Sequence, residues 1–287
     1  NTDVPAGDIG VGAREVGYLF GYYKKLKNEY TGTFTGKGLS YGGSLVRTEA
    51  TGYGLCFFTN EMLSYFKKTS LDGKNIIVSG SGNVAIYAAL KAQSLGAQVV
   101  AMSDSKAYIY DENGLDIEHI KQIKESRKRI THYLKQYPKT KSGSNPKEIW
   151  NNPCDVALPC ATENEMDKTA AKKLVENKVM CVAEGANMPL TQDAIAYLLQ
   201  HDVLFGPGKA ANAGGVATSG LEMSQNAAFD VWTFEEVESK LKTIMHNIFI
   251  QTKDAALKAG DEKNLAAGAN MAGFMRILDA MLAQGLV

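Results

Sequence analysis

The stretch Gly80-Ser81-Gly82-Asn83-Val84-Ala85 follows one apolar run, Asn75-Ile76-Ile77-Val78, and opens another, Ile86 to Ala92. It fits the pattern G-x-G-x-x-A at a strand-to-helix turn. Gly80 permits the sharp bend, Gly82 lets backbone approach a pyrophosphate, and the small Ala85 lets helix lie on strand. Phosphate oxygens would meet the unpaired N–H groups of the helix N-terminus, where Asn83 and Val84 stand. A strand-to-helix turn can need glycine for steric reasons alone, so a second feature carries the reading. Asp104 lies about 20 residues beyond the turn and ends a further apolar run, where an acid reaches an adenosine ribose.

Other residues have chemistry with a plain alternative beside it. Asp8, after Gly7, stands ahead of a helical pattern and is either a reactive carboxylate or that helix's N-cap. Arg47 and Thr51 flank a helix start. Ala161 and Thr162 lie in a polar loop after a strand, as does Asn187, and Asn212 falls in the glycine-rich stretch 208–215. Such loops sit at the carboxyl ends of strands, where open α/β sheets bind ligands, yet asparagine also bonds locally in turns.

The elements that position these groups follow from periodicity. Val16, Leu19, Phe20, Tyr23 and Leu26 mark an early helix, and Leu55, Phe58, Met62 and Phe66 mark a second over 48–67. A glycine-rich segment at 31–44 separates them and reads as a hinge. Beyond residue 71, strands at 75–79, 97–102, 155–158, 179–183 and 203–205 alternate with helical patterns at 83–92, 168–175 and 193–200. A basic stretch at 121–141, with Lys124, Arg127, Lys128 and Arg129, reads as one helix with a solvated cationic face. The chain from about Val216 onward is helical, with apolar stripes at Leu241, Ile244, Met245 and Ile248 and at Phe274, Ile277, Leu278 and Leu282. Alternation of this kind predicts a doubly wound, mainly parallel sheet of the Rossmann type in an α/β fold.

Composition narrows the function classes. Lys plus Arg and Asp plus Glu each total 31 in 287 residues, which gives no reason to expect nucleic acid or an anionic membrane as partner. Cys56, Cys154, Cys160 and Cys181 form no C-x-x-C pair and read as reduced, buried thiols of a cytoplasmic protein. Neither a metal site nor a hydrolase triad is apparent, and no apolar run has the roughly 18 residues of a membrane span.

Several strings together resemble the hexameric, small-subunit glutamate dehydrogenases. They are Asp3-Val4-Pro5-Ala6-Gly7-Asp8-Ile9-Gly10-Val11-Gly12, Gly42-Gly43-Ser44 through Arg47, Glu49-Ala50-Thr51-Gly52-Tyr53-Gly54, Ser79 through Ala85, Leu158-Pro159-Cys160-Ala161-Thr162, Ala183 through Pro189, and Lys209 through Gly220. The resemblance implies reversible oxidative deamination of L-glutamate to 2-oxoglutarate and ammonia. Asp8 matches the proton-shuttling aspartate, Gly7 and Arg47 match positions near the amino-acid substrate, and Val216 and Ser219 match residues around its side-chain carboxylate. Thr51, Asn83, Asn187 and Asn212, with the glycine turn, match cofactor contacts. Branched-chain relatives place an apolar residue where Ser219 stands, which argues against leucine, valine or phenylalanine as substrate.

The dinucleotide is expected to be NADP, with NAD as the alternative. An acid ending the second strand favours the 2′-hydroxyl of NAD. Ser103-Asp104-Ser105, however, resembles the NADP-linked version, in which both hydroxyls donate to a 2′-phosphate and Lys124 supplies a cation. Three segments are expected: 1–44 as the remnant of a substrate domain with its hinge, 45–260 as the dinucleotide-binding domain, and 261–287 as a helix returning toward the substrate domain. The family's N-terminal substrate domain carries carboxylate-binding lysines that are not in this sequence. The chain alone is therefore expected to bind cofactor without glutamate turnover, as a non-catalytic module would, and the full-length protein to form a homohexamer.

Overall fold

A computed structural model describes residues 3–8 and 10–285. The chain begins with α1 (Ala13–Lys27), a single tight turn at Leu39–Tyr41 and α2 (Ala50–Met62), which runs on as a π-turn over Leu63–Lys67. The α/β region follows as β1 (Asn75–Val78), α3 (Asn83–Ser94), β2 (Gln98–Ser103), β3 (Tyr108–Tyr110), α4 (Ile117–Glu125), β4 (Lys141–Gly143), β5 (Val156–Leu158), α5 (Lys168–Glu176), β6 (Cys181–Ala183), α6 (Gln192–Gln200) and β7 (Leu204–Gly206). A short α7 (Gly208–Ala211), then α8 (Gly214–Ala228), α9 (Phe234–Lys258) and α10 (Leu265–Gln284) complete it.

The strands form one seven-stranded sheet in the order β4-β3-β2-β1-β5-β6-β7. Strands β2, β1, β5, β6 and β7 are mutually parallel, and β3 is antiparallel to both of its neighbours. Side chains of successive strand residues point to opposite faces, and both faces are apolar. Ile76, Val78, Val156 and Leu158 join one core with residues of α2, α3 and α9. Ile77, Ala157, Val182 and Phe205 join a second with Ala171 and Leu174 of α5 and Ala194 and Leu198 of α6. Helices thus cover both sides of the sheet, which is the doubly wound arrangement expected.

The basic stretch is the main departure. Instead of one helix over 121–141, α4 stops at Glu125, Arg127 adopts a left-handed φ of 57°, a tight turn occupies Ile130–Lys135, and Lys141 enters β4. The cause is tertiary: Asp104 at the end of β2 accepts from the Ile130 N–H at 3.0 Å and turns the chain back.

α2 crosses α3 closely at Gly52. A Cβ there would stand 2.7 Å from the Tyr87 carbonyl carbon and 2.8 Å from the Val84 oxygen, both in helix backbone that has nowhere to move. Gly52→Ala is therefore expected to lower the denaturation midpoint of the chain, by about 1–3 kcal/mol in stability as for other overpacked cores. Urea unfolding followed by circular dichroism checks this; an unchanged midpoint would contradict the contact.

Candidate active site

The chain leaves β1 toward β2 on one side and reaches β5 on the other only after β4. The connections at the carboxyl ends of β1 and β5 therefore diverge and leave a crevice, as at the switch point of any open α/β sheet. Gly80 has φ +85°, and a Cβ on it would come within 3.1 Å of the Ala161 Cα and 3.2 Å of the Cys160 oxygen, so the turn touches the loop after β5. A Cβ on Gly82 would meet nothing within 4 Å. That open face is a cradle for a group that needs close backbone approach.

Ser79 ties the two loops. Its Oγ donates to Glu165 Oε1 (2.8 Å) and accepts from the Cys160 N–H (2.9 Å), while Glu165 Oε1 also accepts from the Ala161 N–H (3.0 Å). Burial pushes the Glu165 carboxyl above its usual range, against the pull of those donors. The cleft they frame has a volume of about 650 Å³, and Gly80, Gly82, Ser103, Asp104, Lys124, Ala161 and Thr162 all line it.

Asp104 is 7% exposed and its carboxylate is engaged from within. It accepts from the N–H groups of Lys106 (2.9 Å), Ala107 (3.2 Å) and Ile130 (3.0 Å), and Lys124 Nζ stands 3.6 Å away. Burial opposes ionisation, yet these donors and the ammonium hold the carboxyl below its ordinary range. Ser103 Oγ accepts from the Gly80 N–H (2.8 Å), and Ser105 Oγ accepts from Arg129 (3.0 Å). The end of β2 therefore carries a neutralised acid, two hydroxyls and two cations. Arg129, part of the basic stretch, was not singled out by sequence; only the break in α4 brings it here.

A second cleft, of about 690 Å³, is lined by Gly7, Asp8, Arg47, Thr51, Asn83 and Val84. It adjoins the first at the glycine turn, since Gly82 lines one and Asn83 the other. The N-cap of α1 is Gly12, whose N–H is covered by the Glu15 side chain, so Asp8 stands four residues ahead of the helix and is not its cap. Arg47 Nε donates to Ser219 Oγ at 3.0 Å. Burial lowers the basicity of Arg47, and the charge of Glu222 opposes that. Thr35, in the same wall, has a buried Oγ1 with no hydrogen-bond partner among the described residues. No periodic signal marks Thr35; its position follows from pairing with Ala6.

Four predicted residues line neither cleft: Ser219, buried behind Arg47, and Val216, Asn187 and Asn212. Val216 is 72% exposed on α8, one turn before Ser219. Asn187 and Asn212 face each other, with Asn212 Nδ2 donating to Asn187 Oδ1 at 2.9 Å and to the Ala186 oxygen at 3.3 Å. Buried Glu184 holds this corner by accepting from the N–H groups of Gly208 (2.7 Å) and Leu190 (3.4 Å), and its burial raises its pKa.

A doubly wound sheet with a glycine turn at its crevice defines an α/β fold of the dinucleotide-binding type. Residues 42–285 match the Glutamate/Leucine/Phenylalanine/Valine dehydrogenase family, and the chain belongs to it. It is 54% identical to the NADP-specific glutamate dehydrogenase of Haemophilus influenzae over 100% of this chain and 64% of that one. It is 52% identical to the NADP-specific enzyme of Helicobacter pylori strain J99, over 99% of this chain and 65% of the relative. The crystal structure of Plasmodium falciparum glutamate dehydrogenase superposes with a TM-score of 0.95 at 47% identity, covering 100% of this chain and 62% of that one. The chain thus spans a little under two thirds of these relatives' length. Relatives named as NADP-specific and as NAD-specific both match.

Removing the Asp104 charge tests its internal role. Asp104→Asn is expected to destabilise the chain by about 1–3 kcal/mol at neutral pH, since three backbone N–H groups lose an ionised acceptor. A carboxyl held below its ordinary value of 3.8 contributes fully above that pH and loses its contribution as pH falls through the lowered value. The gap between wild type and variant should therefore close on acidification; a gap independent of pH between 7 and 3 would contradict this assignment.

Proposed function

We propose that this chain is the cofactor-binding and proton-transferring part of an NADP-linked glutamate dehydrogenase, which interconverts L-glutamate with 2-oxoglutarate and ammonia. The observation that carries the reading is the meeting of the two clefts at Gly82–Asn83. A dinucleotide with its pyrophosphate on that turn has its adenosine end toward Ser103, Asp104 and Lys124 and its nicotinamide end toward Asp8. When bound, the cofactor accepts or returns the hydride of the substrate α-carbon.

The chain's own residues divide the remaining work. Asp8, exposed at the cleft wall, takes a proton from the substrate nitrogen and returns it in the reverse direction. Arg47 and Ser219 orient the substrate: the serine oxygen accepts from Arg47, so its own proton remains available for donation to a carboxylate. A site built around that donor rejects an apolar side chain, because the hydroxyl and guanidinium would be left unpaired. Gly7, Thr51, Ala161 and Thr162 contribute contacts at the walls. Val216, Asn187 and Asn212 belong to the same surface once substrate and nicotinamide fill it.

Preference for NADP is supported by the chemistry at the end of β2. With Asp104 satisfied by backbone donors, its charge opposes a 2′-phosphate less than an unengaged acid would, and Lys124, Arg129 and the two serines are the matching donors. The divisions 1–44, 45–260 and 261–287, assembly of the full-length protein as a homohexamer, and a cytoplasmic location complete the proposal. The last accords with four buried free thiols. No described helix is long and apolar enough to cross a membrane.

In fluorescence titrations the 287-residue chain is expected to bind NADPH more tightly than NADH and to turn over no glutamate. Lys124→Ala should weaken NADPH binding by about tenfold, a loss near 1.4 kcal/mol, and leave NADH unchanged. Tighter binding of NADH would reassign the cofactor to NAD, and robust turnover by the chain alone would refute its division of labour. In the full-length protein, Asp8→Asn should lower kcat by about 10²–10⁴ while sparing cofactor affinity; undiminished turnover would remove Asp8 from the reaction.

A further inference from the structure

Glu222, three residues beyond Ser219 on α8, is fully buried. Its carboxylate accepts from the Gly36 N–H (2.9 Å) and the Lys37 N–H (3.3 Å) and pairs with Lys37 Nζ at 2.8 Å. The Lys37 side chain is equally buried, and its ammonium also donates to the Phe34 and Thr33 carbonyl oxygens. Two unit charges are thus removed from water, an arrangement that on its own adds little or nothing to stability compared with an apolar pair. Its placement gives it a different use.

The same face of α8 continues the attachment. Ser219 accepts from Arg47, Gln225 Nε2 donates to Ser44 Oγ (2.8 Å), and Asn226 Nδ2 donates to the Gly42 oxygen (2.8 Å). Residues one turn apart on the helix therefore hold the segment 36–47 along its length. That segment in turn carries Asp8. Thr35, next to Gly36, pairs in parallel with Ala6, and its N–H donates to the Pro5 oxygen (3.0 Å).

We propose that Glu222 is a positioning residue of the reaction: by fixing the Gly36–Lys37 turn to α8, it sets the position of Asp8 relative to Arg47 in the substrate cleft, Arg47 itself being held from behind by Ser219. The inference rests on reading that cleft as the substrate site. A line of contacts, Glu222 to Gly36, Thr35 to Ala6, then Gly7 to Asp8, joins a buried carboxylate on α8 to the proton-transferring acid. The Lys37 ammonium and the Gly36 and Lys37 N–H groups converge on that carboxylate. Glu222 touches neither substrate nor cofactor in this scheme. Its loss separates the walls of the substrate cleft and leaves the crevice between β1 and β5 as it was.

The test uses the full-length enzyme and reads glutamate KM, kcat and NADPH affinity together. Glu222→Gln is expected to raise KM for glutamate and lower kcat, each by about tenfold or more, while NADPH affinity stays within about twofold. Because that variant strands Lys37 without its counter-charge, the deciding protein is Lys37→Met with Glu222→Met, which removes both charges and keeps the volume. It should fold with a Tm near wild type and keep the raised KM and lowered kcat, since the Gly36 and Lys37 N–H groups have lost their acceptor. Wild-type KM and kcat in the folded double variant, or an equal loss of NADPH affinity, would overturn the proposal. Ser219→Ala separates this from failure of the underlying reading. If it raises glutamate KM while the double variant behaves as wild type, only the role of Glu222 falls; if it leaves KM unchanged, the substrate-cleft reading falls as well.

Discussion

The crevice between β1 and β5 exists because the chain departs from β1 in one direction and resumes at β5 from the other, so no connection crosses the gap between their carboxyl ends. Everything attached to the site answers to that topological constraint. Once the gap exists it must be kept at one width, and polar groups do this: the Ser79 hydroxyl, at the end of β1, accepts from the Cys160 N–H and donates to Glu165, both in the loop after β5. The glycine turn can then approach to van der Waals distance of Ala161 without closing the opening.

Charge is managed in two ways around the clefts. At the end of β2, a single carboxylate is consumed by three backbone N–H groups and so organises a turn, leaving nearby cations to face outward. Within α8, a carboxylate is consumed by a neighbouring segment and so organises a junction. Both acids are buried, and of the two only Asp104 lines a cleft. Asp8 and Thr35 line the second cleft and Lys124 the first.

The βαβ unit was legible because its signals are local: two apolar runs, a glycine turn, a helix of small residues and a terminal acid fall within about 30 residues. Strands β5, β6 and β7 were legible for the same reason, each a short apolar run before a polar loop. β4 was not, since Lys141-Ser142-Gly143 is an exposed polar edge with no alternation to detect. The break in the basic helix was equally hidden, because the group that turns the chain at Ile130 lies 26 residues earlier on another element. Asp104 was legible as an acid at the right place, while its saturation by backbone donors was not. Asp8, Arg47 and Ser219 entered only through resemblance, since nothing local says that opposite ends of the chain meet. Lys37 and Glu222 carried no signal at all: each reads as an ordinary charged residue of a loop or helix surface until the fold encloses both.

The attachment of the early segment to α8 spans 186 residues of chain between Gly36 and Glu222. Closing so long a loop carries an entropic cost that grows with the logarithm of its length, roughly 4–5 kcal/mol at this span by the (3/2)RT ln n relation. A single hydrogen bond contributes only about 1 kcal/mol net, so no one contact along α8 holds the segment by itself. Ser219, Glu222, Gln225 and Asn226 must engage together, after which each further bond adds almost no closure cost. The junction is therefore cooperative, and the cleft that carries Asp8 is either wholly assembled or absent, while the crevice at the sheet, built from contacts of shorter range, persists in both cases.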